Sequence, residues 1–373
     1  MLQWTQSVLL SFFIVLCSAS ADYAQSSGSA AFKAGVASRR IVPAEPYEWR
    51  GAATHALLEV VWYPAGSDAD ARPQPIPPSG AALFEGGMAA PDAKIAAIPA
   101  KFPLILLSHG TGGTAQSLAW LGTALASRGY IVAGANHPGN NAIEPHTVQG
   151  FMLWWKRAQD ISTVLDAMLA DPEFGPRIDP QRIGAVGFSL GGYTVIELAG
   201  GITSVKRLIE FCKAPHDQVT CKGPPEFSDL RAQSEALAVA DPSFAAALHG
   251  DGASYRDPRI RAVFAMAPAL GPAVTPESLK SITIPAAIVA GAEDSIAPVD
   301  ANARYYAANV PGAQLTIFPG AVDHYVFLDV CTPAGRSIIP PICVDRPGVD
   351  REAVHNATID LAAKFFAGRL SSH

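Results

Sequence analysis

The stretch RIGAVGFSLGGYTVIELAG, Arg182–Gly200, decides how this chain is read. Ile183 to Phe188 form a short, almost continuous apolar run, the pattern of a strand buried on both faces. The residues after Ser189 read as a helix, and between the two Gly187, Ser189 and Gly191 spell G-x-S-x-G, followed by Gly192. A serine on a sharp strand-to-helix turn has its neighbours' backbones so close that only small residues fit beside it, and its hydroxyl stands clear at the top of a sheet. In a chain with 32 glycines the bare pattern is weak. The strand before it and the helix after it give it force.

Outward from this point the same alternation repeats. His55–Ala65 (HALLEVVWYPA) reads as an early strand, followed by a Pro/Gly/Ala-rich connection to Pro103 that reads as a surface excursion. PLILLSHG ends a strand at Ser108, SLAWLGTALASRG is a helix closed by Gly129, and YIVAGANHPG is the next strand. In LWWKRAQDISTVLDAMLAD, Ile161, Leu165, Met168 and Leu169 make the apolar face of a helix that stops before Pro172. Further strands are expected over Arg259–Pro268, Ile284–Asp294 and Ala313–Gly320. Apolar strands separated by helices predict an α/β fold with a mostly parallel sheet covered on both faces. Residues 201–257 break the rhythm and read as a cap-like helical insertion, or simply a longer crossover.

A serine hydroxyl is a poor nucleophile at neutral pH and needs a base, with a carboxylate to hold that base in the right tautomer. On such a sheet those partners follow in the order Ser, Asp, His. Asp294 falls at a strand's carboxyl end in GAEDSIAP and His324 in the next such loop, in AVDHYVFL. Their neighbours compete: Glu293 for the acid, and Asp323, which reads better as a loop or capping group. His109 and His137 also sit at strand ends but precede Ser189, so they suit pocket or oxyanion-loop roles. His55, His146, His249, His355 and His373 read as structural or exposed. An oxyanion needs two backbone donors. The Leu190 N–H, just after the nucleophile, is one, and Thr111 in the glycine-rich SHGTGG is the preferred second. That loop lacks the lysine and spacing of a phosphate-binding G-x-x-x-x-G-K-[ST].

With LLSHGTGG, NHPGN, GFSLGG, GAEDSIAP and DHYVFL in this order, the chain resembles the α/β-hydrolase superfamily over Val42 to Ala367. It is most similar to secreted dienelactone-hydrolase-like proteins related to platelet-activating-factor acetylhydrolases. Dienelactone hydrolases carry a cysteine nucleophile, so the likeness implies the fold and not the lactone reaction. It implies Ser189 as nucleophile, His324 as base, Asp294 as orienting acid and Thr111 and Leu190 as oxyanion donors. The implied reaction is hydrolysis of short to medium acyl esters, phospholipid-type acetyl esters included, through an acyl-enzyme without metal or organic cofactor. Trp154 and Trp155 are candidate pocket residues, although adjacent helix positions point about 100° apart and one of the two reads as core. Two other readings stay open: an amidase or peptidase using the same triad, and a catalytically silent binding protein on the hydrolase fold.

The bulk numbers bound the setting. Of 373 residues 49% are hydrophobic and 16% charged, enough for a large core, and a net charge of −6 with scattered Lys and Arg disfavours nucleic acid. The partner expected is a small-molecule or lipid-like ester. Residues 1–21 carry an uncharged apolar run closed by Ala19-Ser20-Ala21, which predicts a signal peptide and a secreted or periplasmic product. A flexible segment is expected over 22–35, with the catalytic domain at 36–373 and no transmembrane segment in the mature chain. Besides Cys17, the four cysteines allow three pairings, and the sequence-local ones, Cys212 with Cys221 and Cys331 with Cys343, are favoured for an exported chain, against four free thiols. Neither spacing suits zinc. A bridge from Cys331 to Cys343 would restrain the segment flanking His324.

Overall fold

The structure, a computed structural model, describes residues 31–44, 46–77, 80–214, 219–224 and 227–371. The apolar leader with Cys17, and also His216 and His373, lie outside the described residues.

The strands are β1 Lys33–Ile41, β2 Leu57–Ala65, β3 Arg72–Ile76, β4 Phe84–Pro91, β5 Phe102–Ser108, β6 Ile131–Ala135, β7 Ile178–Phe188, β8 Ala262–Met266, β9 Ala286–Gly291, β10 Gln314–Phe318 and β11 Val330–Cys331. They form one sheet in the order β10-β9-β8-β7-β5-β6-β2-β1-β4-β11, with β3 on β4. From β10 to β6 all neighbours run parallel, whereas β2 is antiparallel to both β6 and β1.

The unbroken apolar runs follow from two-sided burial. Along β5, Leu104 and Leu106 face one core with Ile161, Leu165 and Met168 of the helix Arg157–Ala170. Ile105 and Leu107 face the other, with Leu121 of the helix Ala119–Ala126 and Phe365 and Phe366 of the helix Arg351–Arg369. Successive side chains of a strand point to opposite faces, so a strand covered on both sides has no polar face to alternate with.

Topology places the site. From β5 the chain crosses to β6 on one side and then returns to β7 on the other, with Ser108 and Gly187 in register. The connections leaving the two central strands diverge, and a crevice opens at their carboxyl ends.

Three expectations need correction. The stretch expected as a surface excursion contains β3 and β4. Pro73 and Pro75 of β3 and Gly86 and Gly87 of β4 read as breakers, but β3 lies off the main path of the sheet with a single partner, where a strand tolerates residues that cannot donate, and Gly86 is where β4 closes on Ala119, 2.5 Å from where a Cβ would stand. β1 begins at Lys33, three residues inside the segment expected to be flexible, and Ala34 is buried there. Pairing of Lys33–Ile41 with Ala65–Leu57 overrides the weak strand preference of alanine and glycine. The short β11 was also not anticipated.

Residues 201–257 hold the helices Val205–Lys213, Leu230–Ala240 and Pro242–Leu248 between the helix Leu190–Ala199 and β8. Phe244 packs with Leu153 and Trp155 in a small separate core. Trp155 is fully buried there and Trp154 partly so, which makes the pair chiefly an anchor for the insertion. Among the described residues no helix is long and apolar enough to cross a membrane.

Candidate active site

Ser189 sits between β7 and the helix Leu190–Ala199 with φ 57° and ψ −118°, a conformation that costs a non-glycine residue about 1–3 kcal/mol. It is over-determined by its surroundings. The Ser189 N–H donates to the Met266 carbonyl at 2.9 Å, and the Ser189 carbonyl accepts from the N–H groups of Tyr193 and Ala269, each at 3.1 Å. The glycines are required by contact: a Cβ on Gly191 would lie 1.9 Å from the Ser108 carbonyl oxygen, and one on Gly187 2.1 Å from that of Gly191.

Asp294 follows β9 and His324 follows β10, so adjacent parallel strands deliver both to the same end of the sheet. His324 Nε2 lies 2.9 Å from Ser189 Oγ, and Nδ1 lies 2.8 Å and 3.0 Å from the Asp294 oxygens. Asp294 Oδ1 also accepts from the N–H groups of Ile296 and Ala297 at 3.1 and 2.6 Å. A carboxylate that accepts everywhere obliges Nδ1 to carry the proton, which leaves Nε2 free to accept from the serine hydroxyl. Ser189, Asp294 and His324 are all buried.

The competing acids are elsewhere. Glu293 points outward to a long contact with Arg346 at 3.7 Å. Asp323 accepts from the Ser295 and His324 N–H groups, both at 2.7 Å, and pairs with Arg346 at 2.8 Å. It thus ties the loop of Asp294 to the loop of His324. Arg346 follows closely on the Cys331–Cys343 disulfide, and Cys212–Cys221 is also formed. Opening a loop of this size costs about 3 kcal/mol of chain entropy. We expect C331S/C343S to fold with a lower Tm and to lose ester turnover on warming before far-UV circular dichroism changes. Unaltered heat inactivation of the double variant would dissociate this bridge from the site.

The glycine-rich loop between Ser108 and Ala115 packs against the serine, since a Cβ on Gly110 would lie 3.2 Å from Ser189 Cβ. The loop closes as a turn through Gly113 N–H to Gly110 C=O at 3.3 Å, with Gly112 at φ 59°. No acceptor within the described chain takes up the N–H of Thr111 or of Leu190.

The loop after β6, NHPGN, holds this turn at several points. Asn136 Oδ1 accepts from Ala115 N–H at 2.8 Å, the His137 N–H donates to His109 Nε2 at 3.1 Å, and Asn140 Oδ1 accepts from Gly112 N–H at 2.7 Å. His109 Nδ1 then donates to the Gly110 carbonyl at 2.7 Å. His137 Nε2 meets Ser108 Oγ at 2.9 Å and its Nδ1 meets Asp160 at 2.7 Å. This second Ser-His-Asp chain is wholly buried, with Ser108, His137 and Asp160 each at 0% exposure, so it is sealed from any substrate. Burial, with Arg157 beside it, pushes His137 down to about 3, and burial likewise holds His109 well below the usual histidine range. Burial opposes the charge on Asp160, but Arg50 at 2.6 Å and His137 outweigh it and keep the carboxyl ionised.

His109 therefore stands in the glycine-rich loop and His137 behind it, in the loop after β6. Sequence reasoning passed over Ser108, Asn136, Asn140, Arg157 and Asp160. A signal was present: Arg157 lies on the stripe continued by Ile161, Val164 and Met168, and Asp160 is buried with it. Charge continuing an apolar face marks a buried polar network. His355 is structural, stacked on Trp120 at 3.9 Å and hydrogen-bonded to the Val326 carbonyl at 2.7 Å. His55 stacks on Trp49.

Known proteins bear on this arrangement. The family described as platelet-activating factor acetylhydrolase, isoform II, matches residues 86–151, which include the glycine-rich loop and NHPGN. Lipase 1 of Moraxella sp. (strain TA144) is 34% identical over 96 residues, 25% of this chain and 26% of that one. Cutinase est1 of Thermobifida alba is 33% identical over 107 residues, 28% of this chain and 33% of that one. Alignment to these relatives thus spans a third of their length or less. The structure of a ferulic acid esterase from Streptomyces cinnamoneus superposes with a TM-score of 0.60 at 18% identity, covering 91% of this chain and 90% of that one. The fold is that of the α/β hydrolases.

Proposed function

We propose that this chain is a serine carboxylic-ester hydrolase in which Ser189, His324 and Asp294 form the catalytic triad. The observation that carries the reading is the continuous hydrogen-bonded line from Ser189 Oγ through His324 to Asp294, built on a backbone conformation a serine adopts only at a cost. The likeness to lipase, cutinase and acetylhydrolase sequences agrees with ester chemistry.

In this mechanism Ser189 Oγ attacks the ester carbonyl carbon while His324 Nε2 takes its proton. Asp294 holds Nδ1–H and stabilises the imidazolium. The N–H groups of Thr111 and Leu190 receive the oxyanion. Collapse of the tetrahedral adduct expels the alcohol, which leaves with the proton from His324, and an acyl-Ser189 remains. Water, deprotonated by His324, attacks that ester, and release of the acid restores the hydroxyl. The two disulfides and the apolar leader support an exported enzyme, secreted or periplasmic.

Turnover of p-nitrophenyl esters from acetyl to dodecanoyl tests the reading. The rate is expected to peak at short acyl chains, because the serine and histidine are enclosed. Absence of turnover at any length by folded protein, with turnover of matched anilides, would move the assignment to an amidase. Absence of both, with no labelling of Ser189 by a fluorophosphonate, would leave a silent hydrolase-fold binding protein.

A further inference from the structure

Arg157 opens the helix Arg157–Ala170, and its side chain is fully buried. Both facts call for an explanation. A cation at the first turn of a helix faces the positive end of the macrodipole, and a buried guanidinium ordinarily takes a carboxylate partner. Here the nearby carboxylate, Asp160, is engaged by Arg50, His137 and Tyr47. Among the described residues the hydrogen bonds of Arg157 all go to neutral acceptors: Nη2 donates to the His109 carbonyl, Nη1 to Asn140 Oδ1 at 3.5 Å, and Nε to Thr194 Oγ1 at 3.3 Å.

Each of those acceptors leads to one half of the oxyanion site. His109 is the residue before Gly110, and Asn140 holds the Gly112 N–H, so two of the bonds fix the turn on which Thr111 stands. Thr194 donates to the Leu190 carbonyl at 2.8 Å, so the third bond reaches the first turn of the nucleophile helix. A planar peptide transmits this restraint. With the Gly110 carbonyl held by His109 Nδ1–H and Gly113 N–H, the Thr111 N–H of the same trans peptide must point the opposite way.

Resting on the esterase reading above, we propose that Arg157 is a positioning residue for the oxyanion site. Its rigid fork sets the separation of the Thr111 and Leu190 donors by clamping the glycine-rich loop to the nucleophile helix. The second Ser-His-Asp chain is the back wall of the same clamp: Asp160 orients His137, which holds Ser108 by its ring and His109 by its backbone. Burial lowers Arg157 to about 9, still protonated at neutral pH, and its positive charge, with that of Arg50, stands beside the buried carboxylate of Asp160 behind the loop. That charge favours an oxyanion over a neutral carbonyl in a water-poor site.

The test compares wild type with R157K, R157Q and T194V. Active sites are counted by complete reaction with a fluorophosphonate, so that misfolded protein drops out. Removal of one oxyanion donor costs roughly 10²–10³-fold in kcat, and loss of its alignment should cost less. R157K, which keeps the charge but not the fork, and T194V, which keeps the side chain's shape but removes the hydroxyl that accepts from Arg157 Nε and donates to the Leu190 carbonyl, are each expected to lose about ten-fold in kcat per titrated site, and R157Q up to about a hundred-fold. KM should stay within about two-fold. The Ki of a trifluoromethyl ketone, whose adduct with Ser189 places an oxyanion at the same point, should rise in step with the loss of kcat/KM. Wild-type kcat and Ki per titrated site in both R157K and T194V would overturn the positioning role while leaving the esterase reading intact. If the Arg157 variants do not fold, T194V alone decides. A wild type with neither turnover nor label would overturn the esterase reading and this proposal together.

Discussion

Replacing Ser189 by alanine is expected to lower p-nitrophenyl ester turnover by about 10⁴-fold or more, with thermal stability nearly unchanged. The size follows from the proposed mechanism, in which loss of Oγ abolishes the acyl-enzyme and only donor alignment and binding remain to assist water. The fold should survive because the turn is held by backbone bonds to Met266, Tyr193 and Ala269 that do not involve the hydroxyl. Ser189→Gly gives the same loss of activity with a second signature. Glycine adopts φ 57° without a steric penalty, so this variant should unfold at a higher Tm than wild type, by an amount corresponding to about 1 kcal/mol. An active Ser189→Ala enzyme would exclude Ser189 as nucleophile, and a Ser189→Gly protein less stable than wild type would contradict the strain argument.

Asp294→Asn is expected to cost roughly 10⁴-fold in kcat with little change in KM. An asparagine amide at this place offers His324 Nδ1 a donor, or an acceptor of lower charge, and the imidazole loses both its preferred tautomer and the counter-charge for its protonated form. The neighbouring carboxylates serve as internal controls. Glu293→Gln should leave turnover unaltered, since Glu293 faces outward. Asp323→Asn should cost less than about ten-fold, because Asp323 braces the loops by accepting from Ser295 and His324 N–H groups and does not touch the imidazole ring. Steady-state kinetics of the three variants side by side settles which acid works with His324. A larger loss at Asp323 than at Asp294 would reverse the assignment.

Much of this arrangement was legible in order and spacing. Two-sided burial writes itself into a strand as an unbroken apolar run, so β5, β7, β8 and β9 were readable one at a time. The elbow was readable because close backbone approach at Gly187 and Gly191 excludes every larger side chain. Asp294 and His324 were readable because ligands gather at the carboxyl ends of parallel strands. The edge of the sheet was not. In β3 and β4, prolines and glycines contradict strand propensity, and only the tertiary pairing shows that the ladder persists around an irregularity between Pro73 and Pro75.

The buried network behind the oxyanion loop was equally hidden. Arg157, Asp160, His137 and Asn140 look like scattered polar residues of two separate segments. Their meaning depends on three-dimensional neighbours: which donor meets which acceptor once water is excluded, and which cation is left without a carboxylate. Local pattern is written along the chain because a strand or helix repeats its environment every two or 3.6 residues. Sequence alone therefore determined the α/β alternation, the glycine-flanked turn at Ser189 and the strand-end positions of Asp294 and His324. The pairing of buried polar groups has no period, since it is set by long-range packing against unpaired charge and unsatisfied hydrogen bonds, and only the tertiary structure decided it.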